Sequence, residues 1–265
     1  MDSGLGTAGE PEGIFLVRHS RLVFPANSIV ITADPDGIST SVKEIRLSRE
    51  MCPVWFDVAL EQLAEADRAH SDVLATCDGS DNARLGESLE TEAAHGMQAI
   101  VAAATALDAL YASAKECIKL PPSQVETWRK NGTARWRQVA EVLRRCFRVS
   151  RGEHAASVRL VVREVYRFRD MAVHPSSAAA QVVLHPDLNK GTDWRYVSFS
   201  FASAQQAVWG SLNLVMQLLS LPDDRDSDEL KALRVNLRTM LAPVTARWED
   251  LYGPLKDKPG ESESA

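Results

Sequence analysis

Apolar and polar positions alternate at two periods along this chain, and the helical one dominates. Near the start, GIFLVR (13–18) and SIVITA (28–33) are short β-branched runs separated by Pro25 and Asn27 and closed by DPDG (34–37). They predict a small β-hairpin or two edge strands. SVKE (41–44) predicts the cap of a short turn. In VWFDVALEQLAEADRAHSDVLA (54–75) the apolar residues recur every three or four positions, as a helix with one buried face requires. GSDNARLG (79–86) predicts a loop, and the Ala-rich stretch 88–120 a long helix stopped by Pro121-Pro122. SQVE (123–126) and SRGE (150–153) have capping-box spacing and mark two more helix starts, the helices running to about Phe147 and Val173. WRYVSFSF (194–201) predicts a strand or an extended segment. SAQQ (203–206) opens a helix to about Leu221, and a last helix covers about 227–252.

The fold class that follows is mainly α. A helical bundle over 87–252 carries an N-terminal appendage of hairpin plus helix over 13–86, and the ends, 1–12 and 253–265, are polar enough to predict disorder. Composition changes this picture in three ways. No run reaches 18 apolar residues, so no membrane span is expected, and the acidic, Gly-rich start lacks the order of a secretion signal. Cys52, Cys77, Cys117 and Cys146 are scattered without a C-x-x-C pair, which predicts a reducing, cytoplasmic setting and neither a disulfide frame nor a metal site. The net charge of −6 hides an asymmetry, because residues 128–174 carry twelve Arg and Lys against four acids. That stretch is +8 and the rest of the chain −14. It reads either as a salt-bridged helix pair or as a phosphate-binding surface formed by arginines including Arg144, Arg145, Arg159, Arg163 and Arg167.

Two chemistries drop out. There is no glycine-rich phosphate loop and no G-x-S-x-G nucleophile elbow. FLVRHS (15–20) has the strand-then-LVRH start of histidine phosphatases, but Ser20 stands where a Gly is needed and the alternating strands and helices of that fold are missing.

The segment RFRDMAVHP (167–175) ends a predicted buried helix in an unusual way. On a helical wheel Val161, Val165, Phe168 and Ala172 form one face, flanked by Val158 and Val162, with Arg159, Arg163, Glu164 and Asp170 opposite. Arg169 falls at the border of the apolar face, where a guanidinium needs a partner or an anionic ligand. Pro175 excludes helical continuation at His174, which is freed to turn toward Arg169 or toward a second copy of the chain.

RDMAVH, Arg169 to His174, resembles the Arg-polar-x-x-x-His signature of the HEPN superfamily of small helical bundles, with four residues between Arg and His. AATALDALYASA (103–114) is similar to the Ala-rich helix that carries an acidic residue in that superfamily, which gives Asp108 that role. The resemblance spans about 88–220 and implies a HEPN-like bundle, dimeric through the motif-bearing helix. It implies a metal-independent endoribonuclease of the toxin or antiphage type, with no cofactor. In that chemistry His174 is acid or base, Arg169 stabilises the transferring phosphoryl group, and Asp170 orients either of them. Single-stranded RNA is the implied substrate, with Trp128, Trp136 or Tyr166 available to stack on bases. An antitoxin or other protein is an implied partner, and a membrane is not. The other reading is a non-catalytic HEPN-like bundle that binds nucleic acid, a nucleotide or a protein partner.

Overall fold

The computed structural model describes residues 16–35, 37–77, 81–149, 152–174, 181–222, 224–256 and 259. The expected disordered start (1–12), the head of the first predicted strand, the Ser and Arg of SRGE, Pro175 and most of the C-terminal tail lie outside them. The chain forms two compact units, one ending at Glu50 and one beginning at Met51.

The first unit is built from β-ribbons. Strand β1 (Ser20–Val23) pairs antiparallel with β4 (Arg46–Arg49), and β2 (Ile29–Asp34) with β3 (Gly37–Val42). The predicted first strand is displaced: residues 16–18 are not a strand, and His19 takes a left-handed φ of 66° just before β1 begins. SVKE does not cap a turn either, because Ser41 and Val42 continue β3. The register Ile29↔Val42, Ile31↔Thr40, Ala33↔Ile38 puts Val30 on one face and Ile29, Ile31, Ala33, Ile38 and Val42 on the other. That face is open, with Ile31 69% and Ile38 77% exposed.

The second unit is helical. Helix α1 (Met51–Thr76) and helix α2 (Asn82–Ile118) form an antiparallel hairpin in which Gln62 meets His95 and His70 meets Glu92. The helix at 51–76, which the sequence groups with the strands, therefore belongs within the bundle. Asp81 caps α2 by accepting the Arg84 N–H, so most of the loop expected at 79–86 is the first turn of a helix. By length and composition α2 could cross a membrane, but 56% of its most apolar stretch is buried inside the bundle. Its alanines (Ala99, Ala102, Ala103, Ala104, Ala106) are buried on every side, and their small size lets several helices approach its axis.

The single helix expected from 123 to 147 is two: α3 (Pro122–Lys130) and α4 (Arg135–Cys146), parted at Asn131-Gly132, where Gly132 has a φ of 56°. Helix α5 (Glu153–Val173) follows, entered through Gly152 without a side-chain cap. A short hairpin, β5 (Val183–His185) with β6 (Lys190–Thr192), precedes α6 (Trp194–Ser198). The strand expected at 194–201 is thus a helical turn, because Asp193 caps it and Phe199 and Ser200 are buried at the next corner. Helix α7 (Phe201–Ser220) is capped by Ser200, three residues before the box read from SAQQ, and α8 (Asp228–Tyr252) is capped by Ser227. The tail is not wholly loose: Leu255 is buried, and the carbonyls of Leu255 and Pro259 accept from Trp209 and Gln206 of α7.

Candidate active site

Helix α5 buries Val158, Val162, Val165 and Tyr166. The core face is therefore turned from the wheel expectation, and Val161, Phe168 and Ala172 border it, only partly buried. The turn brings Tyr166 inward and puts Arg169, one turn later, at the rim. The Arg169 guanidinium lies 5.6 Å from the Tyr166 ring centroid, and its Nη1 donates to Asp170 Oδ1 at 3.0 Å. Arg169 is about a third exposed and Asp170 about half, so the pair is a surface contact that a ligand can compete for. His174 leaves the helical region (φ −127°, ψ 58°), and its N–H donates to the Asp170 carbonyl at 3.0 Å. Its side chain is exposed. Arg169 and Asp170 thus lie at the C-terminal end of α5, and His174 is its cap residue.

Asp108 reaches this end of the bundle from α2 but is held by another residue. Its Oδ1 accepts from Arg135 Nε at 2.7 Å, and the Arg135 guanidinium lies 4.0 Å from the Tyr111 ring centroid. Between Asp108 and Arg169 stands Tyr166, whose buried hydroxyl has no hydrogen bond within normal distance. Burial, and after it the Asp108 carboxylate, push that phenol far above its ordinary pKa, while Arg135 and Arg169 act in the opposite direction. Tyr166 stays a neutral spacer that carries the Arg169 guanidinium on its ring. Sequence reasoning named Tyr166 only as a ring for stacking on bases and gave Arg135 no part in the site. Tyr166 had a signal, an aromatic three residues before Arg169 on the same face, whereas Arg135 had none, since it meets Asp108 from 27 positions away.

The proposed phosphate-binding arginines are largely occupied. Glu141 accepts from both Arg144 and Arg145, and the Arg144 hydrogen bond holds its carboxyl below the usual range. Glu164 likewise takes Arg163 and Arg167. Arg159 is exposed and faces no acid among the described residues. Two of the aromatics expected to stack on bases are in the core: Trp128 is 9% exposed and Tyr166 1%. Trp136 is partly buried, with Arg137 over its ring.

Among the described residues no three His, Cys, Asp or Glu side chains gather as metal ligands, and none of the four cysteines is in a disulfide. Burial raises the Cys146 thiol to about 12, which makes it unreactive as a nucleophile. His185 is fully buried at the end of β5, where its Nδ1 accepts the Asp187 N–H. Comparison with protein-family models, with curated proteins and with solved structures yields no match.

Proposed function

We propose that this protein is a metal-independent endoribonuclease of HEPN type, an effector or toxin acting on single-stranded RNA. The observation that carries the reading is the C-terminal end of α5, where the Arg169–Asp170 pair is partly open to solvent and His174, four residues beyond Asp170, is exposed. In the proposed reaction an RNA 2′-oxygen attacks the adjacent phosphorus, and the bond from phosphorus to the 5′-oxygen breaks. An imidazole takes the 2′-hydroxyl proton, and a second acid returns one to the leaving 5′-oxygen. The phosphoryl group gathers negative charge at Arg169, which trades its contact with Asp170 for the phosphate oxygens. One protomer supplies one His174, so acid and base together call for two copies meeting at α5. No protein ligand or cofactor enters the chemistry, though an antitoxin covering this end of α5 would silence it.

The test is cleavage of a mixed RNA pool in EDTA by wild type, Arg169→Ala and His174→Ala, each verified as folded by circular dichroism. Cleavage by wild type with 2′,3′-cyclic phosphate ends, reduced by roughly a hundredfold or more in both variants, is the expected result. Equal background from all three proteins overturns the reading. One arrangement favours a second reading, a bundle that binds a polyanion without cleaving it: Arg135 holds Asp108, the acid expected to serve the motif. That reading predicts RNA binding by all three proteins and cleavage by none.

A further inference from the structure

Beside the motif lies a cavity of about 460 Å³, between α2, the last turn of α5 and α6. Its volume is in the range that holds small-molecule ligands. Two close contacts fix its outer wall. A Cβ on Gly96 would lie 2.0 Å from the Phe199 carbonyl oxygen, so the corner joining α6 to α7 rests directly on the backbone of α2. One turn earlier, Glu92 of α2 accepts the Phe201 N–H at 2.7 Å. The inner wall is formed by Met171 and Ala172, which lie between Asp170 and His174 in sequence. Whatever fills the cavity therefore lies against the same turn of α5 that carries the candidate catalytic groups.

The lining divides into partly buried apolar residues and a more exposed polar rim. Met97, Met171 and Ala172 supply thioether and methyl surface suited to the face of an aromatic ring. At the rim the Glu90 carboxylate is exposed and has no hydrogen-bonding or ion-pair partner among the described residues. It can only accept hydrogen bonds, so it recognises an edge that offers donors. Among the four RNA bases, guanine alone offers two adjacent N–H donors, at N1 and N2, to a carboxylate. Arg195, which donates to Asp193 Oδ2 at 2.7 Å, brings a donor-only group to the same cavity, of the kind that guanine's acceptors O6 and N7 can use. Tyr196 adds a half-buried ring whose phenol is kept protonated by burial and by the nearby Glu90 and Asp193 charges.

We propose that this cavity is a guanine subsite, which seats the base of a single-stranded RNA nucleotide whose phosphate lies at Arg169 and His174. The assignment rests on the ribonuclease reading and narrows it to cleavage next to guanosine. Calorimetric titration of the full chain with GMP, AMP, CMP and UMP tests it, together with mapping of cleavage ends in the RNA pool. GMP binds roughly tenfold or more tightly than the others if the carboxylate reads the base. Glu90→Gln, which gives up one acceptor at a solvent-exposed position, removes that preference. Met97→Trp, which fills the apolar part of the cavity, abolishes binding of all four. Equal affinity for the four nucleotides, absence of binding, or guanine preference that survives Glu90→Gln overturns the subsite. The two readings fail separately. Cleavage that needs Arg169 and His174 but shows no base preference removes the subsite alone. Selective GMP binding without any cleavage leaves the subsite and removes the nuclease.

Discussion

At the scale of single residues, His70 and Glu92 show how much one buried carboxylate can organise. Glu92 is 1% exposed, and one of its oxygens accepts from both His70 Nδ1 of α1 and the first N–H of α7, so three helices meet at one atom. The hydrogen bond to Glu92 raises the His70 pKa above its ordinary 6.5 despite opposing burial, with smaller help from the Glu92, Asp187 and Asp67 charges. A histidine whose folded pKa is raised binds its proton more tightly when folded. Its contribution is complete below about 6.5 and is lost as pH rises through the higher folded value. Asp67, whose carboxyl is raised chiefly by burial, has the same sign but starts from its ordinary 3.8, below the His70 window. Urea denaturation between about pH 6 and about pH 9 is expected to show stability falling with pH in wild type. In His70→Gln the slope over that window flattens. A slope that persists in His70→Gln assigns the titration to another group.

At the scale of elements, helix ends and breaks decide the fold, and they were the least legible part of the sequence. The long amphipathic runs at 54–75 and 227–252 were plain because their periodicity repeats over many turns. The break at Asn131-Gly132 was hidden because apolar spacing carries across it, although Asn-Gly is a turn signal in its own right. WRYVSFSF has the aromatic and β-branched content of a strand, and packing of its aromatics against α2 overrides that preference. Within the site, the neighbouring residues Arg169, Asp170 and His174 were legible, since one helix end carries all three. The Asp108–Arg135 pair was not, since only the fold joins α2 to α4. The same holds for Arg234 of α8, which is fully buried and ends α7. It donates to the Leu218 and Leu219 carbonyls, and its Nε pairs with the buried Asp226 at 2.6 Å. Asp226→Asn leaves that guanidinium without its counter-charge and is expected to cost about 3 kcal/mol. Thermal or urea unfolding measures the loss, and a change below about 0.5 kcal/mol contradicts the role given to the pair.

At the scale of the whole molecule, the division at Glu50 and Met51 separates two kinds of structure. The helical unit has a continuous core from Cys52 to Leu255, and every helix that shapes the candidate site lies within it. A chain begun at Met51 is therefore expected to keep its helical circular dichroism and a cooperative melt. Loss of cooperativity in that truncated chain would assign the ribbon unit a part in the helical core.

The distance in sequence between contacts also orders the events of folding. Helices α1 and α2 meet through pairs 22 and 33 residues apart, whereas Phe201 of α7 reaches Glu92 across 109. Closing the larger loop costs more chain entropy, so the α1–α2 hairpin is the early partner and α7 the late arrival. The cavity beside α5 has its outer wall at the corner that begins α7. It is complete only once that corner has docked, so a chain stalled before that step has the Arg169–His174 helix end without the cavity beside it.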